Sequence, residues 1–377
     1  MKKKQVTALV FSLALITSGC GMYGDTQSGE IVENSQSEQV SQMIEIESET
    51  ESIIEPTEPI ETSFTITATG DCALGSLQTH GYEASFHQYY DEKGESYFFD
   101  NFSEIFADDD LTLINLECVF TDAEVRVEKQ FNIKGKESYT GILTSHSVEA
   151  CSLGNNHTLD YGQESLTDTR NVLDAAGVLW AHNDVVSYFI SEDGIKVAMV
   201  SASTLSSDGN LEQYLIDGVE VAKQEEADII IVSPHWGIES EYYANDSQRN
   251  LAYRLIDAGA DLIIGNHPHV LQGMECYKGK MICYSLANFS FGANRNPSDK
   301  NTAVYQQTFT FVDGVLQAGI DAKIIPARVS GADDYNNYQP IMAEGDQKAY
   351  IIQKMNEISA PFGGVTFDEN GIISISE

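Results

Sequence analysis

Basic residues are scarce in this chain. Its 377 residues include 21 Lys and Arg against 58 Asp and Glu, a formal net charge of −37 and a pI of about 4.3. So acidic a protein is excluded from non-specific nucleic-acid binding, which needs clustered cations to neutralise phosphates. Charge alone also disfavours adsorption to anionic headgroups. Proline is sparse too, at 8 residues against 29 Gly, and the chain is 42% hydrophobic. That balance excludes a collagen-like or mostly disordered chain. Beyond the first residues there is no second hydrophobic span, no internal repeat and no clear linker. Cysteines are few: apart from Cys20 there are Cys72, Cys118, Cys151, Cys276 and Cys283. An odd number outside the membrane leaves at least one thiol unpaired. A Cys276–Cys283 disulfide across Lys278-Gly279-Lys280 is conceivable; buried free thiols are the simpler reading.

The amino terminus reads as an address. Lys2, Lys3 and Lys4 precede a short apolar run, Val6 to Ile16, too short to span a bilayer as a mature helix. Thr17-Ser18-Gly19 then leads into Cys20, the small residues of a signal-peptidase site. We expect a signal peptide over 1–19. The pattern resembles a bacterial lipobox with Cys20 lipidated, with Thr17 where Leu is usual. Ordinary secretory cleavage and an uncleaved anchor are the alternatives. All of them place the body outside the cytoplasmic membrane, and lipidation would hold it at the extracytoplasmic face of the bacterial cell membrane. Residues 20–62 read as a disordered acidic tether: Asp25 to Glu61 holds 11 acidic residues and no Lys or Arg. Such a stretch buries too little to offset chain entropy, and its charges repel and extend it. The rest of the chain still carries −29, so an anionic substrate needs a local positive site, a metal ion or both.

Within the body, strands and helices alternate, an α/β pattern. Strands are expected at Phe64–Thr69, Leu111–Leu116, Val148–Leu153, Lys196–Ser201, Ala227–Ser233, Leu262–Ile264, Lys280–Tyr284 and Thr308–Val312. Helices are expected at Leu166–Ala176, Leu211–Glu226 and Asp246–Ala258, the first and last stopped by Gly177 and Gly259. Repeatedly an apolar strand stops and a carboxylate, Asn or His follows at once. In open α/β sheets, ligands bind beyond the carboxyl ends of strands, so residues far apart in sequence can converge there. The residues so placed are Asp71, Glu117, Asn156, His157, Asp160, His235, His267 and His269, with four of the 8 His among them. Imidazole with carboxylate suits a divalent transition metal, Zn, Mn or Fe, rather than Ca or Mg. The set exceeds one tetrahedral site, so one or two ions are expected, and two suit hydrolysis at a phosphoryl or acyl centre.

Six motifs stand in one order: Gly70-Asp71, Asn115-Leu116-Glu117, Gly154-Asn155-Asn156-His157, Pro234-His235-Trp236-Gly237, Gly265-Asn266-His267-Pro268-His269 and Tyr284-Ser285-Leu286-Ala287-Asn288. Together they resemble the CapA family of poly-γ-glutamate capsule synthesis proteins, which is similar to the calcineurin-like metallophosphoesterases. The resemblance spans about Phe64 to Ser330. It implies a four-layer α/β/β/α sandwich with a dinuclear metal site over 63–330, and leaves 331–377 as an extension packed on the same domain. By position it implies Asp71, Glu117, Asn156, His235, His267 and His269 as metal ligands and His157 as the group facing the scissile bond. The phosphoesterases carry a further His where this chain has Ala73.

Other roles stay open from sequence. Asp160 reads as a cap of the following helix or a support of His157, and the catalytic pair is His157 with Asp160. Asn288 is a site residue or a turn former. Arg126, Lys129, Lys134 and Lys136 cluster near Phe131-Asn132-Ile133. Arg126 and Lys134 would receive an anionic substrate there, unless the segment is a solvated hairpin. Cys72, Cys118, Cys151 and Trp236 are expected in the packing, and His80, His87, His146 and His182 match no motif. Two functions follow. One is a surface-anchored, metal-dependent hydrolase of capsule polymer biosynthesis. The other is a non-catalytic accessory protein that binds an anionic polymer or braces capsule synthase subunits.

Overall fold

The computed structural model describes residues 9–12, 58–205 and 211–376. The leader with Cys20 and most of the tether therefore lie outside the described residues. Two large sheets form the frame. The first contains β1 (Glu61–Ala73), β2 (Leu111–Leu116), β3 (Ala150–Ser152) and β4 (Leu179–Ala181), paired in that order and parallel throughout. The second contains β5 (Val185–Ile190), β6 (Lys196–Ser203), β7 (Ile229–His235), β8 (Leu262–Ile264), β9 (Met274–Tyr277) and β10 (Lys280–Cys283). In this sheet β6, β7, β8 and β10 run parallel, and the short strand Leu9–Ser12 pairs antiparallel with β5. Returning to the first sheet, β11 (Asn288–Phe291) pairs parallel with β1, while β12 (Asn301–Val312) pairs antiparallel with it and with β13 (Asp321–Arg328).

Side-chain alternation explains the packing. Ile229 and Ile231 face one core with Phe64, Ile66, Leu111 and Leu113 of the other sheet. Ile230 and Val232 point the other way, onto α5 (Leu211–Gln224) and α6 (Asp246–Ala258) through Leu215, Val219, Leu251 and Leu255. On the first sheet Ile114 and Leu116 face away from the shared core, toward Phe86 of α1 (Phe86–Lys93), Phe106 of α2 (Ser103–Asp108), Ile142 and Leu143 of α3 (Thr140–Thr144) and the Leu166 and Leu173 stripe of α4 (Gly162–Ala176). The two sheets thus share one core, and helices cover the outer face of each. The expected α/β class holds. A last helix, α7 (Gly345–Ser359), puts Ile351, Ile352, Met355 and Ile358 into the core between the sheets. Among the described residues no helix is long and apolar enough to cross a membrane.

Helix limits follow local chemistry. Asn245 and Gln248 form a reciprocal capping box that opens α6, and Gly259 closes it. Gly177, at φ 71°, closes α4 in the left-handed region.

Two expectations change. β1 does not stop at Gly70-Asp71 but continues to Ala73, with a register shift between Ala68 and Asp71. Such a bulge re-aims a side chain, here Asp71. A side chain at Gly70 would overlap the carbonyl oxygen of Ala287, so the strand passes that point only without one. Second, the Phe131-Asn132-Ile133 segment is not a solvated hairpin. Ile133–Gly135 is a strand held between Ser76–Leu77 and Val119–Phe120, and Ile133 is buried. The five described cysteines are free; the register sets Cys276 opposite Met281 and Cys283 opposite Met274, which rules out the conceivable disulfide.

Candidate metal centre

The carboxyl ends of the parallel strands from both sheets meet at one place. The sheets touch there: Ser152 Oγ lies 2.5 Å from Ser201 Oγ, and Gly154 N donates to Ser201 Oγ at 3.0 Å. A side chain at Gly154 would collide with the Ala202 backbone, so glycine permits this approach. Asp71 arrives on the bulged end of β1, and Glu117 follows β2. Asn156 and His157 follow β3, His235 ends β7, and His267 and His269 follow β8.

Glu117 is the hub. Its side chain is fully buried, and Oε1 has no hydrogen-bond partner. Three imidazole nitrogens surround that oxygen: Nε2 of His269 at 3.6 Å, of His235 at 3.8 Å and of His157 at 3.9 Å. Two ligand-type triads share it. Asp71, Glu117 and His235 form one, and Glu117, His267 and His269 the other. An orphaned carboxylate oxygen ringed by imidazoles is costly without a cation and natural with one. The residues fit one or two transition-metal ions.

Around the hub the polar groups are tied down. Asn115 Nδ2 donates to Asp71 Oδ1 at 2.7 Å, and its carbonyl accepts from Asn155 Nδ2 at 3.1 Å. Asn156 Oδ1 lies 3.0 Å from His235 Nε2. His269 Nδ1 is 3.1 Å from Asp71 Oδ2 and 3.0 Å from Asn288 Oδ1. Asn288 therefore sits at the centre, opposite Asp71 in the strand register, and orients His269. His267 and His269 have φ values of 102° and 57°, flanking Pro268. Two non-glycine residues in the left-handed region is local strain of the kind stored at functional sites. His267 Nδ1 is buried without a partner, as Glu117 Oε1 is.

His157 sits differently from the others. Its Nδ1 is 2.8 Å from Asp160 Oδ2, which leaves Nε2 toward Glu117. Asp160 does not cap α4; its Oδ2 accepts from Ile133 N at 2.5 Å and engages His157 Nδ1, and its carboxylate is ion-paired with the Lys129 ammonium. Lys129 Nζ also donates to Asn156 O at 2.8 Å. Lys129 is thus the basic residue that reaches the centre. The two cations expected there do otherwise: Lys134 donates to Ala123 O and stacks over Tyr161, and Arg126 is exposed. Lys136 pairs with Asp91.

Cys72, Cys118 and Cys151 pack in the helix-side core of the first sheet, directly behind the ligand-type residues, and Trp236 packs on α6. His87, His146 and His182 bond elsewhere, to Tyr139, to Ile142 and Ser96, and to Arg170.

Residues 65–293 match the family model of the bacterial capsule synthesis protein PGA_cap, more than half of the chain. The chain belongs to the PGA_cap family. Its similarity to the PGA biosynthesis protein CapA of Bacillus subtilis is 31% identity over 53% of this chain and 58% of that protein. To a probable polyglutamine synthesis accessory protein of Mycobacterium tuberculosis (strain ATCC 25618 / H37Rv) it is 30% identical, covering 59% and 66%. The matches thus span between about half and two thirds of these curated relatives' length. A hypothetical protein from Thermus thermophilus overlays at 15% identity and a TM-score of 0.43, covering 70% of this chain and 99% of that one.

In this PGA_cap chain the centre's ionisation follows its burial. Burial raises the Glu117 carboxyl well above its usual range, and the adjoining Asp71 carboxylate adds to the shift. Burial pushes His235 well down and His267 to about 4, with neighbouring imidazoles reinforcing both. Burial also lowers His157 against the pull of Asp160. Burial works to lower His269 as well, yet the hydrogen bond and charge of Asp71 outweigh it and raise it. Elsewhere, burial and Arg170 hold His182 at about 3.

The sign of the pH dependence follows. Below about pH 6.5 the unfolded chain protonates these histidines while His157, His182, His235 and His267 resist in the fold. Stability is therefore lost as pH falls from about 6.5 toward 4, at up to about 1.4 kcal/mol per pH unit for each. The raised Glu117 offsets one of the four over that window. Chelated protein should melt at progressively lower temperature from pH 7 to pH 5; a level profile would contradict neutral buried imidazoles.

Proposed function

We propose that this protein is a surface-anchored member of a capsule or poly-γ-glutamate polymer pathway whose centre is a metal-dependent hydrolase site. The single observation behind this reading is the orphaned Glu117 Oε1 with three imidazole Nε2 atoms within 3.9 Å. Asp71, Glu117, Asn156, His235, His267 and His269 would hold one or two ions. A transition metal bound there supplies Lewis acidity toward a phosphoryl or acyl oxygen. The protein's own groups do the rest. Asp160, locked by Lys129 and Ile133 N, keeps the Nδ1 edge of His157 engaged and its Nε2 edge facing the centre. His157 then gives a proton to the leaving oxygen or steadies charge on it. Glu239 adds a negative charge felt at Glu117, which favours cation loading.

The pathway assignment is supported by what the relatives' names say of those proteins, biosynthesis of a capsule polymer. The membrane assignment is supported by the basic start, the apolar run and Cys20; mass spectrometry of the amino-terminal residue of membrane-extracted protein tests it. An unlipidated terminus would refute it.

A second reading, a non-catalytic accessory protein, is favoured by Ala73. The phosphoesterase pattern has a ligand there, and here a methyl group is buried among Cys72, Leu74 and their apolar neighbours. Metal content separates the readings. We expect about two equivalents of a transition metal per chain by inductively coupled plasma mass spectrometry, falling in His235→Ala and His267→Ala. About one equivalent would mean Ala73 has cost an ion position. None after reconstitution with Zn, Mn and Fe would sink the hydrolase reading.

A further inference from the structure

A second cleft, of about 570 Å³, opens beside the loop that joins β7 to α6. Its volume is in the range of small-molecule and oligomer sites. Tyr242 and Tyr243 come from that loop and Tyr350 from α7, and all three stay substantially exposed at 38%, 50% and 53%. Three tyrosines left in water around one concavity is unusual, since aromatic rings contribute most when covered.

The floor of the cleft is rigid and already satisfied. Asp299 Oδ2 accepts from Lys354 Nζ at 2.8 Å and from Tyr242 OH at 2.9 Å, and Oδ1 accepts from Asn301 N at 2.9 Å. Lys354 also lies over the Tyr242 ring, 4.1 Å from its centroid. The cation-binding face of Tyr242 is therefore taken. Above this floor the rim offers uncommitted groups. Tyr243 and Tyr350 supply ring faces and phenol hydroxyls, Gln353 an amide, and Glu357 a carboxylate.

Flat apolar faces beside planar amide and carboxylate acceptors are complementary to a pyranose ring. Its axial C–H face packs on an aromatic ring, and its equatorial hydroxyls reach the planar acceptors. The charge inventory selects among polymers. Asp299 and Glu357 outnumber Lys354, so a polyanion is repelled and a neutral glycan is not. We propose that this cleft binds a neutral oligosaccharide of flat, equatorially substituted pyranose rings. Tyr350, Lys354, Glu357 and Asp299 lie beyond residue 293, outside the matched family region, and of the lining residues only Tyr242 and Tyr243 fall inside it, so most of the cleft is built by the carboxyl-terminal part of the chain. The loop carrying Tyr242 and Tyr243 is also pinned to the metal centre: Ser240 N donates to Pro268 O at 2.9 Å, between His267 and His269. Glycan held here sits on the same loop system as the candidate centre.

Calorimetric titration of the full-length protein with cellohexaose and chitohexaose tests this directly. At least one should bind, and Tyr243→Ala and Tyr350→Ala should each weaken it about tenfold or more. Tyr350→Phe, which keeps the ring, should stay within about threefold of the parent. Melting temperatures of the variants should match the parent, since both residues are exposed. The proposal is overturned if neither sugar binds at about 10 mM, if both alanine variants bind as the parent does, or if poly-γ-glutamate is the ligand these variants lose. None of these outcomes depends on metal loading, so the result stands apart from that of the hydrolase reading.

Discussion

Replacing Glu117 with glutamine is expected to strip metal from the centre and, at the same time, to raise the melting temperature of the metal-free protein. The two effects have one cause. In the metal-free fold Glu117 is fully buried, its Oε1 has no partner, and burial with the Asp71 charge holds its carboxyl well above the usual range. A group whose folded pKa is raised costs stability at every pH above its unfolded pKa. Removing the charge removes that cost, worth about 1–3 kcal/mol. Both ligand-type triads share Glu117, so one substitution disables both. Loss of metal should cost about a thousandfold or more in turnover, the scale of several kcal/mol of Lewis-acid stabilisation. Metal analysis and thermal melts in chelator read the two effects separately. Retained metal, or a lower chelated melting temperature, would remove Glu117 from the hub.

The sequence revealed the centre's strand ends better than its surroundings. Leu111–Leu116, Leu262–Ile264 and Asp246–Ala258 were legible to the residue, because apolar runs bounded by a carboxylate, a glycine or a cap leave little latitude. Asp71, Glu117, His235, His267 and His269 could be read as a set because each follows or ends a parallel strand. Asn115 was within reach, since period two puts it on the same face as Glu117. Lys129 was not. It stands among four cations in one segment, and only the folded path of residues 121–135 decides which of them meets Asp160. The Gly70 bulge was equally hidden, because it answers to Ala287, more than two hundred residues away. The same logic decides between the two readings of Asp160, helix cap or support of His157. Asp160 looks like a cap by local sequence, and tertiary partners at Ile133 and Lys129 claim its oxygens instead.

His157 and Asp160 should separate chemistry from metal binding. His157→Gln is expected to leave metal content unchanged and to lower kcat toward bis(p-nitrophenyl) phosphate by about 10²–10⁴, the range of a lost general acid. Its Nδ1 is engaged by Asp160, so only the Nε2 edge is offered to the centre, 3.9 Å from Glu117 Oε1. Asp160→Asn should cost less, about ten- to a hundredfold, because the imidazole stays while the carboxylate that orients it is gone. The loss should fall on kcat rather than KM, and the alkaline limb of the pH profile, where the protonated His157 is lost, should shift to lower pH as Asp160 ceases to favour the imidazolium. If His157→Gln also lost an equivalent of metal, the imidazole would be a ligand, and the proton donor would have to be sought elsewhere. Lys129 is the next group along that chain, with its ammonium on Asp160 and on the Asn156 carbonyl. A catalytic relay predicts that Lys129→Met follows Asp160→Asn in size and direction. A structural clamp predicts a lower melting temperature with the pH profile unmoved.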